Sequence, residues 1–202
     1  MDVHGVIQET SVNTKNNRVI YYFFLLIFMI DKFVPDKYFK SIYDINYETL
    51  KKTGIKCLIF DVANTLMPES ATKPNKKVKD LFEDLKDMGF KLILMSNSVK
   101  KNVEAFKEEL CVDSAYLSFK PFKFKYKKII KLFNFKPSEI ACIGDQILYD
   151  IYGANKMDFT SILVNPISID EYAVSKLNRK FENLITTKIT KKDLFKKGRY
   201  YE

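Results

Sequence analysis

Histidine is almost absent from this chain. The one copy, His4, lies near the N-terminus, far from any patterned segment. That excludes a serine–histidine–aspartate nucleophile and a histidine-rich metal site. Cysteine is scarce too: Cys57, Cys111 and Cys142 are far apart, and no Cys-x-x-Cys pair occurs. A zinc ribbon or a disulfide framework is therefore excluded. Cys57 and Cys142 fall within apolar runs, where cysteine acts as a small hydrophobe. With 6 glycines and 6 prolines in 202 residues there is no long flexible linker. Internal repeats and low-complexity segments are also lacking. The longest apolar run, residues 19 to 30, falls short of the roughly 20 residues that a bilayer crossing needs.

What is present is hydrophobic residues (47%) and an excess of lysine that gives a net charge of +9. The first suffices for one domain with a core. The second favours anionic partners such as phosphate esters, anionic lipid or nucleic acid, although a lysine-rich proteome would produce the same excess.

Leu58, Ile59 and Phe60 form a short apolar run that ends on Asp61, followed by the polar turn Asn64-Thr65. A buried parallel strand ending on a carboxylate places it at the carboxyl edge of a sheet, where open α/β folds bind ligands. Further along, Val78, Leu81, Phe82, Leu85 and Met88 recur at helical spacing, and Gly89 closes that helix. Residues 91–95 read as a second strand ending in Ser96-Asn97-Ser98. Val99, Val103, Phe106 and Leu110 mark a helix, 115–119 a third strand before Lys120-Pro121, and Tyr126, Ile129, Ile130 and Phe133 another helix. Residues 140–143 form a fourth strand ending in Gly144-Asp145. Ile147, Leu148, Ile151 and Ala154 begin a helix, and 159–164 are a fifth strand. This alternation predicts a parallel sheet of about five strands flanked by helices, an α/β Rossmann-like fold. Asn46 is positioned to cap a short helix over 47–52, residues 170–185 read as an amphipathic helix, and the lysine-rich end is expected to fray.

Asp61, Ser96, Lys120 and Asp145 each end a predicted strand and converge in one crevice. The pentapeptide Asp61-Val62-Ala63-Asn64-Thr65 resembles the first motif of the haloacid dehalogenase-like phosphatases, D-x-D-x-T, with Ala63 in place of the second aspartate. Ser96, Lys120 and the run Gly144-Asp145-Gln146-Ile147-Leu148-Tyr149-Asp150 stand where the later motifs follow. The lead-in from Met29, and residues 35 to 54, resemble the YqeG-like members of subfamily IIIA, relatives of phosphatidylglycerophosphate phosphatases. The resemblance covers about residues 29–185.

The resemblance implies a fold, a reaction and roles. Asp61 would be the nucleophile. Lys120 would orient it and neutralise phosphoryl oxygens. Ser96 and Asn97 would bind the phosphoryl group, with Asn64 and Thr65 shaping the first loop. Mg²⁺ would be held by Asp61, the Ala63 carbonyl, Asp145 and Asp150. Ala63 removes the family's general acid and base, which leaves two readings: an impaired phosphatase, or a non-catalytic phosphate-binding regulatory module. Phosphonate-cleaving members also carry alanine there, so the substitution alone does not decide. The motif gaps are too short for a cap domain, and an open site suits a large or membrane-held phosphate, an anionic phospholipid among them. Nucleic acid is disfavoured as a partner: aromatics and lysines interleave over 119–128, but half of that stretch is a helix with a core face.

The expected organisation is an N-terminal extension (1–28), the phosphatase domain (29–185) and a basic tail (186–202). The expected place is the cytoplasm, peripheral at the inner membrane face. The apolar run 19–30 has three open readings: membrane association, a buried helix, or part of an extension that starts upstream of the family's usual beginning. Asp31-Lys32 follows it where a signal-peptide cleavage site would stand.

Overall fold

A computed structural model of the chain describes residues 30–168 and 176–202. The apolar run 19–30 and the start of the expected 170–185 helix lie largely outside these residues. Six parallel strands are present: β1 (Lys37–Phe39), β2 (Cys57–Phe60), β3 (Lys91–Met95), β4 (Asp113–Ala115), β5 (Ile140–Gly144) and β6 (Thr160–Val164). Their order across the sheet is β1-β6-β5-β2-β3-β4. The chain steps outward from β2 to β4, then returns to β5 on the other side of β2. That reversal opens a crevice at the carboxyl ends of β2 and β5.

The helices are α1 (Tyr47–Lys52), α2 (Lys76–Asp87), α3 (Lys100–Leu110), α4 (Lys123–Phe133), α5 (Tyr152–Asn155) and α6 (Lys176–Lys191). Two are started by asparagine caps: the side-chain Oδ1 of Asn46 accepts from Thr49 N and that of Asn75 from Val78 N, each at 2.9 Å. These bonds satisfy amides that the first helical turn leaves unpaired.

Alternation along the strands divides the core in two. Leu58, Phe60, Leu92, Leu94 and Ile143 face Val78, Phe82 and Leu85 of α2 and Val103 and Phe106 of α3. Cys57, Ile59, Ile93, Met95 and Cys142 face Tyr126 and Ile129 of α4 and Ala154 of α5. The helix-bearing faces make both sides of the sheet dry, which is why these strands read as unbroken apolar runs.

The structure departs from the expectation in four places. The sheet has six strands where about five were expected. The addition is β1, which pairs with β6 from Lys37↔Ile162 to Phe39↔Val164 and is too short to show a pattern of its own. The third expected strand, 115–119, is displaced to Asp113–Ala115. Leu117 and Phe119 lie instead in a loop, with φ of 44° and 51°, conformations in which no strand can continue. Residues 147–151 form a π turn before the short α5. The end of the chain does not fray: α6 runs to Lys191, Ile189 and Phe195 are buried, and Tyr201 forms an antiparallel bridge with Tyr38.

Among the described residues no helix is long and apolar enough to cross a membrane. No cap is inserted either: the β3–β4 connection holds only α3, and the segment between β2 and α2 carries neither helix nor strand.

Candidate active site

Asp61 follows directly on β2, and its backbone N–H donates to Ile143 O of β5 at 2.9 Å. The side chain is thereby fixed at the point where the strand order reverses. Lys120, 6% exposed, reaches it from the loop after β4. Its Nζ donates to Asp61 Oδ1 at 2.5 Å and to Asp150 Oδ1 at 2.6 Å. Asp150 Oδ2 in turn accepts from Gln146 N at 3.1 Å. Asp145, at the end of β5, accepts the Thr65 hydroxyl at 3.1 Å.

The geometry of the π turn brings Asp150 back over the end of β5. A Cβ on Gly144 would lie 2.3 Å from Asp150 Cγ, so only glycine permits the approach. π turns recur at functional sites for this reason: the extra residue re-aims side chains.

Two asparagines hold the loops. Asn97 Oδ1 accepts from Lys120 N at 2.7 Å and from Ser118 Oγ at 2.8 Å. It ties the Ser96 loop to the Lys120 loop. Asn64 has φ of 60°, a conformation that asparagine tolerates better than most residues. Its carbonyl accepts from Ile167 N at 2.9 Å and its Oδ1 from Ser168 Oγ at 2.8 Å. Ser96 is buried, and its Oγ accepts from Ser98 N at 3.1 Å, which leaves the hydroxyl proton for another acceptor.

All the residues expected at the site therefore meet at one edge: Asp61, Asn64, Thr65, Ser96, Asn97, Lys120, Asp145 and Asp150. Ala63 sits beside them. It lines a cleft of about 460 Å³ together with Val62, Glu69, Thr72, Ser96 and Ser98. Glu69 carried no motif signal, because the loop from Pro68 to Pro74 has no periodicity, and Ser98 was read only as part of the turn that ends the second strand.

Charge is unbalanced here. Burial raises the Asp61 carboxyl to about 6, although Lys120 pulls it down. Burial also pushes Asp145 well above the usual carboxylate range, with Asp61 and Asp150 adding to the effect. Burial would lower Lys120, but Asp150 and Asp61 outweigh it and hold the ammonium charged.

Oxygens of Asp61, Asp145 and Asp150 lie within 4.8 Å of one another. Asp61 Oδ2 is buried and has no hydrogen-bond partner among the described residues. With all three ionised, three carboxylates against one ammonium would leave two negative charges uncompensated, which is why Asp61 and Asp145 are held toward their neutral forms while no cation is bound. The donor set is all oxygen. A hard divalent cation fits both the charge and the ligand type.

The chain is similar to known proteins in sequence. A sequence model of the haloacid dehalogenase-like hydrolases matches residues 68–158. The chain is 29% identical over 160 residues to "Probable phosphatase YqeG" of Bacillus subtilis, covering 79% of this chain and 93% of that protein. The chain is thus similar to the haloacid dehalogenase-like hydrolases. Solved structures of similar shape include the cobalt-bound deoxy-D-mannose-octulosonate 8-phosphate phosphatase of Haemophilus influenzae. It is 14% identical with a TM-score of 0.46, over 72% of this chain and 95% of that one. Another is the D,D-heptose 1,7-bisphosphate phosphatase of B. bronchiseptica, complexed with magnesium and phosphate. It is 14% identical with a TM-score of 0.45, over 54% of this chain and 80% of that one. At those scores the fold assignment rests on the strand order itself.

Proposed function

We propose that the chain is a phosphomonoester hydrolase that works through an aspartyl-phosphate on Asp61, with Mg²⁺ as the divalent cation. The observation that carries this reading is the Asp61–Lys120–Asp150 ladder, with Asp61 Oδ2 left unpartnered at the sheet's carboxyl edge.

Asp61 is the nucleophile. One carboxylate oxygen forms a bond to phosphorus as the bond to the leaving oxygen breaks. Lys120 holds Asp61 Oδ1 and carries a positive charge toward the phosphoryl oxygens. The Ser96 hydroxyl donates to one of those oxygens, and Asn97 keeps Lys120 in register through its backbone. Thr65 orients Asp145. Asp61, Asp145 and the Ala63 carbonyl would hold the cation, with Asp150 supporting. When bound, it neutralises charge on the phosphoryl group. Water then attacks the aspartyl-phosphate, releasing phosphate and restoring Asp61.

Alanine at 63 supplies no proton to the leaving oxygen. Phenolate leaves without one and an alkoxide does not. General acid–base help is worth about 10² to 10⁴-fold. Aryl phosphates are the favoured substrates in solution. The physiological substrate is a lipid phosphomonoester of the phosphatidylglycerophosphate type, consistent with the uncapped edge and the basic charge; its alkoxide takes its proton from water rather than from residue 63, so its turnover is slow, and the protein works in the cytoplasm at the membrane face.

A second reading is favoured by Ala63 alone: a phosphate-binding module that retains fold and cation but not turnover. Phosphate release from an aryl phosphate and from phosphatidylglycerophosphate, by the protein and by Ala63→Asp, separates the two. Turnover of either substrate by the unaltered chain supports the enzyme. Activity confined to Ala63→Asp overturns it in favour of binding.

A further inference from the structure

The loops flanking Lys120 carry large apolar side chains that are exposed. Phe119 is 56% exposed, Phe122 61% and Phe124 50%, with Leu117 and Val99 beside them at 39% and 52%. Leu117 N donates to Ser98 O and Phe122 N to Phe119 O. The rings of Phe119 and Phe124 lie 6.0 Å apart. These bonds make residues 98–99 and 117–124 one continuous surface. The left-handed backbone at Leu117 and Phe119 is costly for such residues, and it leaves both exposed, whereas a strand would have set both on one face of the sheet.

Charge on this surface has one sign. Between Asp113 and Glu139 the chain carries seven lysines and no acidic residue. Lys120 is committed to the site. Lys123 and Lys127 are exposed, and neither they nor Lys125 form an ion pair among the described residues; Lys125 lies over the Tyr116 and Phe124 rings.

We infer that the loops 98–99 and 117–124, with the first turn of α4, dock the active-site edge onto an anionic phospholipid surface. Apolar side chains enter the interface while lysines meet the headgroup phosphates. Complementarity of charge selects this partner. Single-stranded nucleic acid would share the lysines, but Leu117 and Val99 offer no ring on which a base can stack, and no arginine occurs between 114 and 138. The geometry deepens the lipid reading above and rests on it for its purpose. A phosphomonoester standing at headgroup height meets Lys120 with no cap to cross. Binding itself needs no turnover.

The sequence contains no tryptophan, so one introduced indole reports its surroundings alone. The full-length Phe122→Trp protein is mixed with vesicles of phosphatidylglycerol and phosphatidylcholine, and with phosphatidylcholine alone. Leu132→Trp, 67% exposed near the far end of α4, is the control. Emission from F122W is expected to shift to the blue on the anionic vesicles only, and that from L132W to stay put. In co-sedimentation, Phe122→Ser with Phe124→Ser, and Lys123→Glu with Lys125→Glu, are each expected to weaken partitioning by at least about tenfold. Unchanged partitioning of both double variants overturns the inference, as does an equal shift from L132W. So does a gel shift of single-stranded RNA, lost in K123E/K125E, by a protein that leaves vesicles unbound. A protein that partitions as expected yet releases no phosphate from an aryl phosphate overturns the enzyme reading and leaves the docking surface standing.

Discussion

Gly144 and Asp150 occupy adjoining space in such a way that a single methyl group on the first would strike the second at 2.3 Å. Asp150 can reach Lys120 only because that methyl is missing. Gly144→Ala is therefore expected to push the carboxylate off Nζ. Overpacking of this kind costs about 1–3 kcal/mol, and the activity should fall with it. Urea denaturation alongside aryl phosphate turnover measures both. Wild-type stability in the variant would show that the π turn yields freely.

Among the described residues, Lys120 is the one cation bonded to the Asp61–Asp145–Asp150 cluster. Lys120→Met keeps the length of the side chain and removes the charge, leaving Asp61 and Asp150 facing each other unpaired. Breaking a buried pair from one side costs about 3–5 kcal/mol. Urea titration with a chelator present should find a loss of that order. A loss within error of zero would mean that the pair contributes nothing net to the metal-free fold.

Stability of the metal-free protein should depend on pH through Asp61. Its folded-state carboxyl is raised to about 6 by burial, against about 3.9 in an unfolded chain. The folded state then binds more protons over that interval. The contribution is fully present below about pH 4 and is lost as pH rises through about 6. Thermal melts with chelator should decline over this window, and Asp61→Asn should decline less. Magnesium, which favours the ionised carboxylate, should flatten the slope. Identical slopes for the two proteins would show that Asp61 does not titrate there.

Magnesium alone should raise the melting temperature, since a ligand of the native state at 100 times its Kd adds about 2.7 kcal/mol. Asp145→Asn removes a carboxylate from the cluster and should abolish most of that gain, and EDTA should reverse it in the unaltered protein. A full magnesium shift in Asp145→Asn would place the cation elsewhere.

Much of this site was legible in the sequence because chemistry of this class needs particular side chains at strand ends, and strand ends are easy to find. Asp61, Ser96 and Asp145 directly follow strands, and the crevice follows from parallel strand order; Lys120 comes instead at the end of a loop after β4. The role of Asp150 was not legible. Its bond to Lys120 depends on the π turn and on the space left at Gly144, neither of which has a hydropathy signature. Asn97 was expected at the phosphoryl group, whereas its Oδ1 is engaged by Lys120 N and Ser118 Oγ. Leu117 and Phe119 misled the strand assignment for a plain reason. An apolar run bounded by turn signals reads as buried, and here the backbone sign at two residues sends it outward.

The bridge between Tyr38 and Tyr201 has a consequence for solubility. Tyr38 N donates to Tyr201 O at 2.8 Å, and Tyr201 N returns a bond to Tyr38 O at 2.9 Å. β1 would otherwise present an open row of amides and carbonyls, a template on which strands from other molecules can add. Tyr38, Phe195 and Tyr200 pack their rings around the same junction. Residues 195–201 thus act as a guard against self-association, and a chain clipped ahead of them would keep its chemistry while gaining a sticky side.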